Sequence, residues 1–191
     1  MLLYIHVVAF AVALGCVLRE DAKLVSRWPL DLISLRAASR LVATALAVLW
    51  ASGTALIVLD AGGDFAAVAS NAKLLAKLVV VCVLTLNGVA LHWIAFPQLQ
   101  NPPAQIGSSA QLAASLGAVS AVSWAVATLL GISREAARIL SFEGLMLAYG
   151  LALVVGIGAA LIVVAPIVRR KMLDRAVGAY PVQESDPLRA R

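Results

Sequence analysis

Residues 145–168 read LMLAYGLALVVGIGAALIVVAPIV, and none of these positions is charged. A helix that crosses the hydrocarbon core of a bilayer needs roughly 20 mostly apolar residues, with a usual range of about 17–25. The stretch meets that requirement, and the basic run RRK follows it at 169–171. It therefore predicts a membrane-spanning helix whose end is marked by basic residues.

Four further apolar runs of comparable length precede this one. In chain order, the five predicted spans cover about residues 2–18, 41–59, 78–96, 111–132 and 145–168. The composition agrees, because 62% of the chain is hydrophobic and only 13% is charged, against about 45–50% and about 25% in a typical soluble domain. We predict an all-α bundle of five transmembrane helices in one domain, residues 1–168, followed by a polar tail, residues 169–191.

The basic residues divide unequally between the two sides of such a bundle. Residues 19–40, 97–110 and the tail share one side and carry eleven Lys and Arg, whereas the other side carries four. Because basic residues that flank membrane spans stay in the cytoplasm, we predict the N-terminus outside and the C-terminus in the cytoplasm. Membrane topology also accounts for the net charge of +5, so we expect membrane lipids and no nucleic acid as partners.

The third predicted span carries an unusual number of polar side chains, after a helix start that Asn71 is expected to cap. At about 100° per residue, one side of this helix carries nearly all of them: Lys73, Lys77, Thr85, Asn87 and His92. Such a face predicts a path for a solute, an ion or a proton. The alternative is that the lysines and His92 reach the headgroups, while Thr85 and Asn87 bond to neighbouring helices.

Three side chains are candidate metal or haem ligands: His6, His92 and Cys16. His6 lies near the start of the first span and His92 near the end of the third, which runs in the same direction. Their depths then differ by roughly 15–20 Å at about 1.5 Å per residue, whereas two axial nitrogens on one haem iron lie about 4 Å apart. Haem b or copper would therefore need a ligand from an oligomer or a partner. Cys16 shares the leaflet of His92, but we identify no third ligand there.

Other charged residues mark the two membrane surfaces. We expect five basic residues to anchor the chain at lipid headgroups: Arg36, Arg40, Arg169, Arg170 and Lys171. Such residues attract anionic lipids. Glu143 opens the fifth span at the opposite surface, either as an interfacial acid or as a partner of Lys73 or Lys77.

The fourth and fifth spans are rich in small residues at helical spacing. They are Ala114, Ala118, Ala121, Ala125 and Thr128 on the fourth span, and Ala152, Gly156 and Ala160 on the fifth. Small residues let helix backbones approach closely in a membrane. The pattern predicts tight packing, either within the bundle or between subunits.

Three short segments of the first half, IHVVAFAVALG at 5–15, WASG at 50–53 and KLLAK at 73–77, resemble small bacterial inner-membrane proteins, distantly of the copper-resistance-D type. The resemblance implies a multi-pass protein of the bacterial inner membrane and copper handling in that membrane. Proteins of that type are generally longer, and this chain has few His and Met residues, so no set of copper ligands is transferred.

Sequence motifs of the common enzyme classes do not occur in the chain. It has no P-loop, dinucleotide fingerprint, HExxH, CxxC or GxSxG, and no pair of carboxylates lies within an apolar span. We expect a non-enzymatic protein, an accessory or scaffold subunit in a homo-oligomer or a larger membrane complex. The alternatives are a small transporter or channel-like module that uses the third span, and a haem- or copper-handling protein.

Overall fold

The computed structural model describes residues 1–26, 31–62, 64–100, 106–132 and 140–179. This part of the chain is helical apart from short turns and contains no strand. Five of its helical segments are long and apolar enough to cross a membrane. The predicted all-α fold with five apolar spans is therefore confirmed, and the chain has the architecture of a multi-pass membrane protein.

The helices follow one another with short connections. They are α1 (Leu2–Val25), α2 (Leu32–Ala61), α3 (Phe65–Ser70), α4 (Ala72–Ala90), α5 (Phe96–Gln100), α6 (Ile106–Ile132) and α7 (Phe142–Ala179). A π-helical turn, Leu91–Ala95, joins α4 to α5, and the apolar span runs through all three as Ala72–Leu99.

Several helices continue beyond the apolar runs that predicted them. α1 extends to Val25 and α7 to Ala179, because charged side chains end an apolar run without ending a helix. In the last turns of α1 the Lys23 ammonium lies 2.8 Å from the Glu20 carboxylate, a spacing that supports helix formation. Residues 180–191 of the predicted tail lie outside the described residues.

Short polar side chains fix where the helices begin. Asp31 accepts hydrogen bonds from the backbone N–H groups at the start of α2, and Asp64 does the same for α3. The predicted cap Asn71 is confirmed, since its side chain accepts from the Leu74 N–H at 3.0 Å. These bonds satisfy donors that have no partner inside a helix. Gly62 follows α2 with φ of 56°, a left-handed conformation that glycine adopts without a steric cost.

The π-helical turn has a local cause in Pro97. Proline has no N–H to donate to the carbonyl four residues earlier, and its ring collides with that carbonyl in a regular α-helix. The turn Leu91–Ala95 lies directly before this proline and widens the helix at the point of conflict. Because a π turn holds an additional residue, the spacing of about 100° per residue no longer predicts side-chain directions from Leu91 onward.

The five spans pack as two groups. α6 and α7 form the most extensive helix pair, and α4 packs beside them; α1 and α2 form a second pair, and α2 has only a small contact with α4. The main core lies where the groups meet. There Trp124, 2% exposed, packs against Phe10 with ring centroids 5.3 Å apart, and Val80 of α4 is fully buried.

Candidate functional site

The predicted polar face of α4 begins with two half-buried lysines. Lys73 and Lys77 lie in the first two turns of the helix. Lys77 is close enough to His6 of α1 for the two side chains to interact electrostatically. This end of the bundle therefore brings polar groups of α1 and α4 together within its apolar surroundings.

Thr85, two turns further along α4, links this helix to α2. Its hydroxyl donates to the Val81 carbonyl at 2.8 Å and accepts from the Trp50 indole N–H at 3.0 Å. The second bond crosses between the two helix groups, where α2 and α4 otherwise make little contact. Trp50 was missed in the search for polar partners because its ring is mostly apolar and only its N–H donates.

Asn87 points towards a different helix. Its amide group donates to the Leu116 carbonyl of α6 at 3.0 Å. The side chain is only 5% exposed, and its oxygen has no hydrogen-bond partner. The reverse orientation of the amide would set two oxygens against each other at Leu116, so the buried group without a partner is the acceptor. Leaving such an acceptor unpaired costs about 1–3 kcal/mol, which makes Asn87 the least satisfied buried side chain in the described part of the protein.

His92 belongs to the π-helical turn and is exposed. Its ring meets Phe96 edge to face, with centroids 6.3 Å apart. The predicted polar face therefore divides: Thr85 bonds towards α2, Asn87 bonds towards α6, and His92 faces outward. The structure does not bring these three side chains to one common surface.

His6 forms a hydrogen bond that sequence analysis missed. Its Nδ1 atom lies 2.8 Å from the Ser52 Oγ atom of α2, and the Ser52 hydroxyl is 2.6 Å from the Val48 carbonyl. Because Ser52 has one proton and gives it to that carbonyl, His6 Nδ1 is the donor to Ser52. Gly53 makes room for the ring, since a Cβ atom there would lie 3.3 Å from His6 Cε1.

The candidate metal ligands remain far apart. His6 lies beside Lys77, and His92 follows Lys77 by fifteen residues, about 22 Å along a helix. Cys16 makes only a long contact of 3.8 Å from Sγ to the Ala38 carbonyl. The described residues contain no group of three or more His, Cys, Asp or Glu side chains placed to hold a metal ion. Soft metals are held by several such ligands, so these side chains do not fit a copper ion bound by one protomer.

The basic residues around the last helix differ in their contacts. Lys171 turns inward, and its ammonium donates to the carbonyls of Lys23 at 3.1 Å and Leu24 at 2.8 Å, at the end of α1. Lys23 itself donates to Ser34 of α2 at 2.7 Å. Lys171 therefore joins the ends of α1 and α7 by satisfying carbonyls that have no partner inside a helix.

The four predicted arginine anchors face outward. Arg36 and Arg40 are exposed near the start of α2, and Arg169 and Arg170 are exposed on α7. The α7 pair borders a groove of about 440 Å³ between α6 and α7. Glu143 is exposed in the first turn of α7, where a negative charge complements the helix dipole.

A second groove, of about 680 Å³, runs along one side of α2 and is lined by Trp50, Ala51, Thr54, Ala55, Val58 and Leu59. All six residues belong to α2, so this groove follows a helix face with little cover from the rest of the protomer. No protein family, curated protein or solved structure with which the chain was compared matches it.

Proposed function

We propose that the protein is a non-enzymatic accessory or scaffold subunit of a membrane complex, and that α2 is the helix that contacts its partner. The observation that carries the proposal is the outward face of α2. Positions on this face repeat at alternating intervals of three and four residues, and all are exposed: Ile33, Ala37, Arg40, Thr44, Ala47, Ala51, Thr54 and Val58. This spacing and the small residues at its centre are typical of helix-packing surfaces in membranes.

The opposite face of α2 shows what such a repeat does when a neighbour is present. Its buried residues are Ala38, Ala45, Leu49 and Ser52, again three, four or seven residues apart. This face packs against α1. α2 thus has two seams of similar spacing, and among the described helices only one of the seams is covered.

The small residues of α6 and α7 are already used within the protomer. Ala114 of α6 and Ala160 of α7 are buried in one cluster, and Gly156 faces Val122 so closely that a Cβ atom would lie 2.5 Å from its Cγ2 atom. The structure thereby decides between the two interpretations of this pattern in favour of packing inside the bundle. The outward seam of α2 is the small-residue surface left for another chain.

The charge on this seam favours a different protein over a second copy. Two copies in one membrane run parallel, and a two-fold pairing brings the same residue of each copy together. The seam contains Arg40, so a dimer through α2 would oppose two arginines. A partner helix with an acidic or polar residue at that level avoids the repulsion.

The test is photo-crosslinking in native membranes followed by purification in mild detergent. A photoreactive residue at position 51 should give an adduct of one defined mass, whereas the same residue at position 159, an exposed alanine of α7, should give none. Ala51→Leu should release the partner and Ala159→Leu should retain it. Equal labelling at both positions, an adduct with the mass of a second copy, or a partner retained by Ala51→Leu would refute the proposal.

For the membrane and the orientation, we propose the bacterial inner membrane, with the N-terminus outside and the C-terminus in the cytoplasm. The support is the excess of basic residues at one end of the bundle, where Lys171 bonds to the end of α1 and Lys23 to the start of α2. In a chain without its two native cysteines, a cysteine at position 60 should react with an impermeant reagent from outside. A cysteine at position 174 should react only after the cells are opened, and the reverse pattern would refute this orientation.

Asn87 favours a second candidate, a transport module that uses α4. Its side-chain oxygen is a buried acceptor without a partner, one turn before a π-helical turn, and polar groups inside a membrane often mark the route of a solute or proton. Asn87→Leu should then abolish a flux through reconstituted protein and leave its unfolding unchanged or more favourable for the folded state. Unchanged flux in this variant would refute the transport proposal.

A further inference from the structure

The groove between α6 and α7 owes its shape to residues with little or no side chain. A Cβ atom added to Gly107, in the first turn of α6, would meet no neighbour within 4 Å, so open space lies beside this residue. Across the groove stand Ala165 and Pro166 of α7. Pro166 lies inside the helix, where the missing N–H and the ring bend the backbone. The resulting volume of about 440 Å³ lies in the range of about 300–1,000 Å³ that is usual for small-ligand sites.

One end of the groove is positively charged. Arg169 and Arg170 both line it, and neither guanidinium has a hydrogen bond or an ion pair with another residue in the described ranges. The groove also lies at the N-terminal end of α6, which carries the positive end of the helix dipole. Gln111 adds a polar side chain one turn further on, and no acidic residue of the described part lines this space.

The rest of the groove is apolar. Leu161, Ala165 and Leu173 supply its surface, and Leu161 belongs to the uncharged stretch of α7 that ends at Val168, directly before the arginines. The cationic and apolar portions therefore meet where the hydrocarbon core gives way to the headgroups. A free phosphate ion would use only the arginines, whereas a phospholipid would use both portions at the depth where lipids lie.

We propose that this groove is a binding site for one anionic phospholipid, with its phosphate at Arg169 and Arg170 and an acyl chain along Leu161 and Ala165. Guanidinium groups bind phosphate oxygens in pairs. The site is separate from the outward face of α2, so the inference stands or falls independently of the proposed accessory role.

The size of the effect follows from the two charges. A basic side chain near a membrane surface strengthens binding to anionic lipid by about fivefold. Loss of both arginines should therefore weaken binding of phosphatidylglycerol roughly 30-fold. The matched control is the pair Arg36 and Arg40, which is also basic and exposed but does not line the groove.

The experiment uses the full chain, purified in mild detergent and titrated with phosphatidylglycerol, phosphatidylcholine or inorganic phosphate. Native mass spectrometry counts the bound lipid, and thermal unfolding confirms that each variant is folded. We expect one tightly bound phosphatidylglycerol per chain, much weaker phosphatidylcholine binding, and no competition from millimolar phosphate. Arg169→Gln with Arg170→Gln should lower the affinity roughly 30-fold, and Arg36→Gln with Arg40→Gln should leave it nearly unchanged.

A second variant keeps both arginines and tests the space itself. Gly107→Leu places a side chain where the structure has open volume, so it should fold normally and exclude the lipid. Equal affinity for the two lipids, an equal loss in both arginine pairs, full displacement by phosphate, or normal lipid binding in Gly107→Leu would each overturn the proposal.

Discussion

Gly156→Ala offers the sharpest test of how the bundle is packed. The added methyl group would lie 2.5 Å from Val122 Cγ2, whereas carbon atoms in contact prefer about 3.5–4.0 Å. Val122 cannot move aside easily, because a β-branched side chain has one strongly preferred rotamer in a helix. α6 and α7 must therefore separate by about 1 Å along their most extensive contact.

The magnitude comes from two opposing terms. Overpacking of a close contact costs about 1–3 kcal/mol, while alanine is favoured over glycine within a helix by up to about 1 kcal/mol. Gly158→Ala, two residues along the same helix, has the second term alone, since nothing lies within 4 Å of its added carbon. The free energies of unfolding of the two variants should therefore differ by about 1–3 kcal/mol, with Gly156→Ala the less stable.

The assay is reversible unfolding of the purified protein in mixed micelles, with helicity as the signal. Val122→Ala combined with Gly156→Ala removes the colliding methyl group, so the double variant should recover most of the loss. A double-mutant cycle with a clear coupling between the two sites would support the contact. If Gly156→Ala were as stable as Gly158→Ala, or if Val122→Ala brought no recovery, the close approach of α6 and α7 at this point would be refuted.

Three further predictions concern hydrogen bonds between helices. Tyr149→Phe removes the partner of the buried Ser123 hydroxyl, 2.7 Å away, and should lower the free energy of unfolding by about 1 kcal/mol in the same assay; an unchanged value would contradict this. Thr85→Val keeps the side-chain volume but removes the acceptor of the Trp50 indole, so the indole N–H resonance should shift upfield, and an unmoved signal would show that the bond is absent. Lys171→Met leaves the last carbonyls of α1 without their donor, so amide exchange in the last turn of α1 should accelerate, whereas equal protection in the two proteins would argue against the link.

Sequence analysis succeeded where the physical cause is local. Residues 145–168 contain no charge, and a backbone in hydrocarbon must satisfy its hydrogen bonds within its own helix. The cap at Asn71 also follows from neighbouring residues alone, because its side chain bonds to a backbone group three positions away. The helix ends were harder to predict, since Lys23 and Glu20 continue α1 as a helix after the apolar run has stopped.

The polar residues show where local information is insufficient. Lys171 and Arg170 are adjacent and both basic, yet Lys171 bonds to the end of α1 while Arg170 borders a groove. Thr85 and Asn87 are two residues apart on one helix and bond to different neighbours. Spacing along one helix gives the direction of a side chain but not the identity of what stands opposite.

The sequence by itself determined that the protein is an all-helical bundle with five apolar spans, and it located the small-residue seams. Both properties depend on the order of residues along single helices. Only the tertiary structure decided that the seams of α6 and α7 face each other, that His6 donates to Ser52, and that one face of α2 remains uncovered. The reason is that lipid tails are as apolar as most of these side chains, so hydropathy does not distinguish a lipid-facing surface from a helix-facing one. That choice depends on close contact between backbones and on a few hydrogen bonds across helices, which exist only once the helices are assembled.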